Sequence, residues 1–259
     1  MANNNRFVWH DLNTRDVDGA KRFYGEVFNW SFDASDNGDY QHIMAGKEMI
    51  GGIRKMRPDE PGPSNWMGYV HCDDVDAFAK RIVGAKGQLY MPPMTLPDVG
   101  RFAVAADPTG GVFAPWKNAH PEEDVETDAP PNPYTFIWDE LMTTDVPAAE
   151  KFYAEVFGWE AMHADFGAGD YVVFNRPGTK GPRGTPRGAG GMFKSPDGMP
   201  HSFWLSYLSV PDAAAITEKA KRLGGKVVVP PKAVAKVGTF AVWADPVGGT
   251  IGVLQPAAM

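Results

Sequence analysis

The sequence has very little cysteine and no long apolar run. Cys72 is the single cysteine among 259 residues, so no disulfide can form within the chain, and a lone thiol of this kind packs in a core more often than it acts as a nucleophile. The first residues contain no apolar core of a signal peptide, and no segment approaches the ~20 apolar residues of a membrane-spanning helix. We therefore expect a cytoplasmic protein that does not enter a membrane.

Basic charge is also in short supply. The formal net charge is −7, with 25 Lys and Arg against 32 Asp and Glu. A nucleic-acid-binding protein needs a concentrated basic surface, so nucleic acid is excluded as the main partner. Histidine is sparse too. His10 is expected to pack or to form a hydrogen bond, and four others have no partner at metal-ligand spacing and are expected at the surface or in loops: His42, His120, His163 and His201.

The sequence does contain a long internal repeat. Residues 7–30, FVWHDLNTRDVDGAKRFYGEVFNW, return as residues 136–159, FIWDELMTTDVPAAEKFYAEVFGW, with more than half of the positions identical. Each copy reads as an apolar strand, a turn led by Asp, and an amphipathic helix. In the first copy Phe23, Tyr24, Val27 and Phe28 follow the spacing of one helical face. An internal repeat of this kind decides the architecture before any other feature does.

The repetition continues to the end of the chain. The matching pairs are Gly51-Gly52 and Gly190-Gly191, 66–69 and 204–207, 74–87 and 212–225, and the Asp-Pro-x-Gly-Gly segments at 107–111 and 245–249. The spacing changes near 178–188, where the second copy has an insertion that carries Lys180, Arg183 and Arg187 and reads as a flexible surface loop. The chain is therefore a tandem duplication.

Each half is predicted to contain two successive modules, each with one strand, one helix and three further strands. This pattern predicts an α+β fold with four βαβββ modules that form two cup-shaped sheets. Residues 120–133 are acidic and rich in proline, as in a linker. We therefore predict a first domain at 1–119, a linker at 120–133 and a second domain at 134–259.

These strand–Asp–helix units and Asp-Pro-x-Gly-Gly turns make the chain resemble the vicinal oxygen chelate superfamily, also called the glyoxalase/bleomycin-resistance/dioxygenase family. Within it the chain is similar to the tandem two-domain, hydroxylase-like or mycobacterial antigen-type subgroup. The resemblance implies paired modules whose sheets curve around a cup, and a divalent metal held there by His and Glu.

The chain departs from the family at the metal ligands. The resemblance places those ligands at six positions, which hold Trp9, Met67 and Ala114 in the first half and Trp138, Leu205 and Gly252 in the second. None of these side chains is an imidazole or carboxylate donor of the kind that divalent cations need. We therefore expect no metal and no other cofactor. A shifted site built on Asp11 and His71 is conceivable, but His71 aligns with Ser209 and is not repeated.

The period of two along a strand predicts which side chains point into each cup. Those side chains are Trp9, Asp11, Met67, Tyr69, Trp138, Glu140, Leu205 and Tyr207. The pattern does not decide on which side of the sheet four neighbouring aromatic residues lie: Trp66, Trp204, Phe102 and Phe240. Such a lining suits an apolar or aromatic ligand that a few polar groups orient. Asp11 and Glu140 could act as bases in these apolar surroundings, or could simply bond to Tyr69 or Tyr207.

Three functions are compatible with this pattern. The first is a metal-independent protein that binds a small apolar or aromatic molecule, and the second is a hydroxylase-, lyase- or isomerase-like enzyme with Asp11 or Glu140 as base. The third is a protein that works through its surface alone. Four modules in one chain are compatible with a monomer or a homodimer. The pattern also leaves open which module pairs with which.

Overall fold

The computed structural model confirms the predicted fold class. It contains four βαβββ modules in sequence, with four helices and two eight-stranded mixed sheets. The structure describes residues 5–35, 40–123, 126–166, 170–181, 184–196, 199 and 201–257. Among these residues no helix is long and apolar enough to cross a membrane.

The first half of the chain forms modules 1 and 2. Module 1 consists of β1 (Phe7–Thr14), α1 (Val17–Phe28), β2 (Ser31–Ala34), β3 (Tyr40–Ala45) and β4 (Glu48–Lys55). Module 2 consists of β5 (Asn65–His71), α2 (Val75–Gly84), β6 (Gln88–Leu96), β7 (Gly100–Ala106) and β8 (Val112–Asn118). A single 3-10 turn at Pro121–Glu123 follows module 2.

The second half repeats this order. Module 3 consists of β9 (Phe136–Thr143), α3 (Val146–Phe157), β10 (Glu160–Asp165), β11 (Asp170–Arg176) and β12 (Arg187–Lys194). Module 4 consists of β13 (Phe203–Ser209), α4 (Ala213–Arg222), β14 (Lys226–Val234), β15 (Gly238–Ala244) and β16 (Thr250–Pro256). In the insertion, Arg187 is anchored by an ion pair with Asp128, and Arg183 lies outside the described residues.

The two sheets have the same strand order. One runs β2-β3-β4-β1-β5-β8-β7-β6 and the other β10-β11-β12-β9-β13-β16-β15-β14. Within each module the first strand pairs in parallel with the last, as β1 does with β4, because a helix intervenes and returns the chain in the same direction.

All four helices begin at an aspartate. The carboxylates of Asp16, Asp74, Asp145 and Asp212 each accept a hydrogen bond from the backbone N–H three residues later, at 2.8 to 3.0 Å. These N-caps satisfy a helix N–H group that would otherwise lack a partner, and they place negative charge at the positive end of the helix. The repeated Asp of the sequence therefore has the same local role in every module.

Side chains alternate between two faces of each sheet. In module 1, Leu12 and Ile53 are buried in a core with α1, so their neighbours Asp11 and Gly52 point the other way. We call this second side the open face. In module 1 it carries Trp9, Asp11, Asn13, Tyr40, His42, Gly52 and Arg54, and in module 3 it carries Trp138, Glu140, Met142, Tyr171, Val173, Gly191 and Phe193.

The chain divides into two compact units. Unit 1 contains residues 1–8, 68–130 and 138–204, and unit 2 contains residues 9–67, 131–137 and 205–259. One apolar core joins α1 of module 1 to α4 of module 4, and the other joins α2 of module 2 to α3 of module 3. The helices therefore pair first with fourth and second with third. The domain bounds 1–119 and 134–259 stay a prediction.

A buried hydrogen-bond network joins modules 1 and 4 inside unit 2. The Tyr24 hydroxyl on α1 donates to Asp245 Oδ2 at 2.9 Å and accepts a bond from Trp66 Nε1 at 3.0 Å. The other carboxylate oxygen of Asp245 accepts the backbone N–H groups of Val247 and Gly249. Burial raises the pKa of Asp245, and the bonds from Tyr24 and the turn oppose that shift. The Asp-Pro-x-Gly-Gly turn is thereby tied to the helix of another module.

Unit 1 contains a second copy of this network. Tyr153 on α3 donates to Asp107 Oδ2 at 2.8 Å and accepts from Trp204 Nε1 at 2.8 Å. Asp107 Oδ1 accepts the N–H groups of Thr109 and Gly111. The repeated Phe-Tyr of the helices and the repeated Asp-Pro of the turns are therefore two ends of one interaction.

We expect Tyr24→Phe and Tyr153→Phe each to lower the free energy of unfolding by about 1–3 kcal/mol, because each change leaves a buried carboxylate oxygen and a buried indole N–H without a partner. Chemical denaturation followed by circular dichroism measures this change. Tyr90→Phe is the matched control, since Tyr90 is 55% exposed. Equal stability of all three variants would contradict the role given to the network.

Candidate functional site

On the open face of module 1, three side chains bond to one another. Trp9 Nε1 lies 2.9 Å from Asp11 Oδ1 and 3.0 Å from the Tyr40 hydroxyl, and that hydroxyl donates to Asp11 Oδ1 at 2.6 Å. Trp9 and Asp11 come from alternate positions of β1, and Tyr40 reaches them from β3 across β4. Asp11 is buried at 4% exposure, so its carboxylate depends on these donors.

Module 3 has the same arrangement with glutamate in place of aspartate. Trp138 Nε1 donates to the Tyr171 hydroxyl at 3.0 Å, and Tyr171 is hydrogen-bonded to Glu140. Trp9, Asp11 and Tyr40 on one side, and Trp138, Glu140 and Tyr171 on the other, are the two indole–phenol–carboxylate triads of the chain. Both copies of the duplicated segment therefore contain this group of polar side chains, in addition to the apolar residues of the core.

The repeated Gly-Gly pair makes room for each triad. A Cβ atom added at Gly52 would overlap the Tyr40 hydroxyl and lie 2.8 Å from Asp11 Oδ1. One added at Gly191 would overlap the Tyr171 hydroxyl in the same way. The preceding Gly51 lies against the backbone carbonyl of the neighbouring strand, where an added Cβ would also overlap. Glycine is needed here because a phenol ring passes directly over the strand.

Burial and the neighbouring carboxylate fix the protonation state of both phenols. Burial, followed by the charges of Asp11 and Glu140, raises the pKa values of Tyr40 and Tyr171 far above the ordinary range for tyrosine. Both phenols are therefore neutral donors over the whole physiological range of pH. A tyrosinate base is not available in either triad.

The other predicted site residues lie in separate aromatic groups. In unit 1, the Tyr69 ring packs near Phe102 at 6.1 Å and Trp116 at 6.0 Å between ring centroids. In unit 2, Tyr207 meets Phe240 edge-on at 6.4 Å. Phe102 and Phe240, which the sequence pattern did not assign to either side of the sheet, therefore pack near Tyr69 and Tyr207.

The remaining residues singled out by the sequence differ in burial and in their contacts. Met67 is partly buried, and Leu205 is fully buried at 1% exposure. Trp66 and Trp204 point to the helix side, where they bond to tyrosines of α1 and α3. Within their own modules, Asp11 and Glu140 each bond to a phenol that the sequence did not indicate, Tyr40 and Tyr171.

Sequence reasoning missed three residues of the site. Tyr40 and Tyr171 complete the triads, and the signal that could have found them is the tripeptide Gly-Asp-Tyr, which the sequence contains at 38–40 and again at 169–171. His42 was expected at the surface or in a loop. It lies instead in β3, partly buried, with its ring edge-on to Tyr40 at 5.4 Å and to Trp9 at 6.4 Å.

Module 1 also carries a polar network beside its triad. Arg54 donates to Asn13 Oδ1 at 2.9 Å and makes a bidentate pair with Glu60 at 2.9 and 2.7 Å. Asn13 in turn donates to Asn65 Oδ1 at 3.2 Å. The hydrogen bond from Arg54 lowers the pKa of Glu60, which therefore stays ionised at neutral pH.

The residues present do not fit the divalent metal that the family resemblance implies. The six positions that the family resemblance assigns to ligands carry indole, thioether, methyl and isobutyl groups or no side chain: Trp9, Met67, Ala114, Trp138, Leu205 and Gly252. A Cβ added at Gly252 would overlap the Tyr207 ring. Within the described ranges no three His, Cys, Asp or Glu side chains are grouped as metal ligands would be.

The comparison with protein families identifies the class. A model of the Glyoxalase/Bleomycin resistance protein/Dioxygenase superfamily matches residues 6–114 and 135–253. The chain belongs to this superfamily, and each half contributes one match.

Two relatives are similar over almost the whole chain. "Putative glyoxylase CFP32" of Mycobacterium tuberculosis (strain CDC 1551 / Oshkosh) is 33% identical, covering 96% of this chain and 94% of the relative. "Anthracycline biosynthesis protein DauV" of Streptomyces sp. (strain C5) is 30% identical, covering 96% and 92%.

Solved structures share the fold at lower identity. The Mn(II)-bound glyoxalase from Novosphingobium aromaticivorans matches 98% of this chain and 83% of its own, with a TM-score of 0.64 and 17% identity. The 2,3-dioxygenase LapB from Pseudomonas sp. KL28 matches 98% and 92%, with a TM-score of 0.61 and 13% identity. At these identities the likeness establishes the fold alone.

We expect the four tyrosines that bond to carboxylates to stay protonated well above pH 10 for as long as the protein is folded: Tyr24, Tyr40, Tyr153 and Tyr171. An unfolded tyrosine ionises near pH ~10. The raised pKa values therefore contribute stability that is fully present below that pH and is lost as the pH rises further. Spectrophotometric titration should show at least four of the eight tyrosines ionising only together with unfolding. Titration of all eight in the folded protein near pH ~10 would contradict this.

Gly52→Ala should expel the Tyr40 ring from the triad, because the added methyl group takes the place of the hydroxyl. We expect one additional tyrosine to titrate in the folded variant, and a loss of about 1–3 kcal/mol in stability as the buried Asp11 loses a donor. Gly84→Ala is the matched control, since an added Cβ there meets nothing within 4 Å. An unchanged titration curve in Gly52→Ala would show that Tyr40 does not need the space.

Proposed function

We propose that the protein binds a small aromatic or apolar molecule on the open faces that carry the two triads, without a metal ion. Each open face would form the wall of a cup-shaped pocket. The proposal includes a cytoplasmic location and a monomeric or homodimeric protein whose partner is this ligand.

The observation that carries the proposal is how the two triads use their polar atoms. The indole N–H of Trp9 and the phenol O–H of Tyr40 both bond to Asp11, whereas Trp138 donates to the Tyr171 hydroxyl and Tyr171 is hydrogen-bonded to Glu140. With their polar ends occupied inside the protein, these side chains offer ring faces to a ligand. Flat aromatic surfaces held rigidly by internal hydrogen bonds favour stacking with a flat apolar molecule.

A role as general base is less well supported for Asp11. Two donors converge on one of its oxygens, so that oxygen is already engaged within the protein and would have to leave these bonds to take a proton from a substrate. Glu140 is in the same position with respect to Tyr171. The enzyme alternative, a hydroxylase-, lyase- or isomerase-like activity with these carboxylates as bases, therefore ranks second.

Binding without a metal is supported by the chemistry of the side chains. Asp11 faces N–H and O–H donors, whereas a metal-bound carboxylate would face a cation. The positions of the usual ligands hold groups that have no lone pair suited to a hard or borderline divalent cation. Among the residues that the structure describes, neither triad therefore belongs to a group of three metal-ligating side chains.

The names of relatives point to the same class of ligand. DauV is named for anthracycline biosynthesis, and anthracyclines contain fused aromatic rings. LapB is a 2,3-dioxygenase, and another structure with this fold is a 2,2',3-trihydroxybiphenyl 1,2-dioxygenase. These names concern other proteins, but an aromatic ligand for this chain agrees with its aromatic open faces.

We expect polycyclic aromatic compounds to quench the tryptophan fluorescence of the protein, and Trp138→Ala or Trp9→Ala to weaken their binding roughly ten- to hundredfold, because the loss of a stacking ring costs about 1.5–3 kcal/mol. Tyr90→Phe, on an exposed residue, should bind as the wild type does. A chelator should leave binding unchanged, and elemental analysis should find no stoichiometric transition metal.

Two results would count against the proposal. A stoichiometric metal that is lost on mutation of Asp11 and Glu140 would favour the enzyme alternative. Failure of a chemically broad panel of aromatic compounds to bind would favour a protein that works through its surface.

A further inference from the structure

Around the triads, the open face of module 1 is polar where the open face of module 3 is apolar. The triads and their glycines correspond between the copies, but three positions around them change from polar to apolar: Asn13 to Met142, His42 to Val173, and Arg54 to Phe193. The strand registers pair these positions with the same neighbours in both modules, so the substitutions are equivalent in place. If both faces bound the same chemical group, one set of surroundings would serve for both.

The surroundings of the triad in module 3 are aromatic. The Tyr171 ring stacks with Phe193 at 6.4 Å between centroids and meets Phe166 edge-on at 5.6 Å. Val173 and Met142 complete this face with aliphatic side chains. Apart from the triad itself, these side chains have no strong hydrogen-bonding group for a ligand.

In module 1 most donors of the open face already have a protein partner. Trp9 and Tyr40 donate to Asp11, Arg54 donates to Glu60 and Asn13, and Asn13 donates to Asn65. A ligand that needed these donors would have to break existing bonds. The polar network beside the triad therefore lines the open face but does not hold a ligand by hydrogen bonds.

His42 is the exception. Its ring is partly buried and lies edge-on to Trp9 and Tyr40, and its nitrogens make no hydrogen bond to any residue in the described part of the chain. In every protonation state an imidazole has at least one N–H donor. A ligand that stacks on Trp9 would therefore meet a hydrogen-bond donor at its edge.

The charges nearby restrict what that donor can bind. Asp33 lies directly opposite His42 on β2, and Asp11 lies on the same row across Gly52, while the charges of Glu60 and Arg54 compensate each other. The carboxylates of Asp33 and Asp11 disfavour an anionic ligand by Coulomb repulsion. A neutral acceptor fits best, which in an aromatic molecule means a carbonyl oxygen.

We propose that the open face of module 1 binds an aromatic molecule with a neutral carbonyl group, anchored by His42, whereas the open face of module 3 binds an aromatic group without polar substituents. This inference rests on the proposed function, because it assumes that ligands bind on these faces. It assigns a different ligand chemistry to each copy of the duplicated module.

The test uses the indole N–H signals of Trp9 and Trp138 in nuclear magnetic resonance spectra of the ¹⁵N-labelled full chain, assigned through Trp→Phe variants. Each signal reports on one open face. Acetophenone and ethylbenzene, which are similar in size and differ in the carbonyl oxygen, are titrated separately. Acetophenone should bind at the Trp9 face about three- to tenfold more tightly than ethylbenzene, as expected for one net hydrogen bond, and should have no such advantage at the Trp138 face.

Variants of His42 separate the donor from the ring. His42→Phe keeps an aromatic ring beside Trp9 but has no N–H, so the advantage of acetophenone at the Trp9 face should disappear while ethylbenzene binds as before. His42→Asn keeps a side-chain N–H donor and should retain the advantage. Benzoate should bind this face more weakly than acetophenone.

The outcomes distinguish this inference from the proposed function. An advantage of acetophenone that survives in His42→Phe, or one that is equal at both faces, would overturn the inference and leave the proposed function standing. If neither compound shifts either indole signal, the proposed function fails and the inference fails with it.

Discussion

Each compact unit depends on one buried carboxylate that two modules share. Asp245 closes its own turn by accepting the N–H groups of Val247 and Gly249, and it also accepts the hydroxyl of Tyr24, which is 221 residues away in the chain. A buried carboxylate costs several kcal/mol unless donors surround it, so the turn is stable in this environment only when the helix of module 1 delivers its tyrosine. Asp107 and Tyr153 impose the same condition on the other unit. This mutual requirement ties the first module to the fourth and the second module to the third.

The open faces use the same chemistry for a different purpose. There, too, a phenol donates to a carboxylate and an indole N–H completes the group, but the members come from neighbouring strands of one module and the side chains of Trp9 and Trp138 are only partly buried. The helix-side networks hold modules together, whereas the triads stiffen a surface that faces away from the helix core. The glycines beneath Tyr40 and Tyr171 give up side chains of their own so that a ring can cross the strand, which is a cost without a benefit unless the position of that ring matters.

The sequence predicted the fold well because the fold is repeated. Four strand–Asp–helix signals in order leave few other arrangements, and the aspartates cap all four helices. The period of two along β1 placed Trp9 and Asp11 on one side of the strand, where they lie in the structure. Local sequence patterns could not predict contacts between residues that are far apart in the chain. Asp245 was identified as a turn residue and Tyr24 as a core residue, and no local pattern says that they meet. Tyr40 was missed because a strand of ordinary composition gives no sign that one ring reaches across its neighbour.

The duplication also explains why the two triads can be compared at all. After a tandem duplication, positions that the fold requires stay alike in both copies, and Trp9, Asp11, Tyr40 and Gly52 have close counterparts in module 3. Their surroundings are under no such constraint, since Asn13 and Arg54 in one copy and Met142 and Phe193 in the other fit the same strand pairs. The difference is therefore one of chemistry and not of architecture. A polar network costs more to bury than an apolar cluster unless each group is paired, and in module 1 the pairing extends from Arg54 to Glu60 in the loop after β4. A change that demands a supporting loop residue is harder to attribute to drift than a simple exchange of apolar side chains.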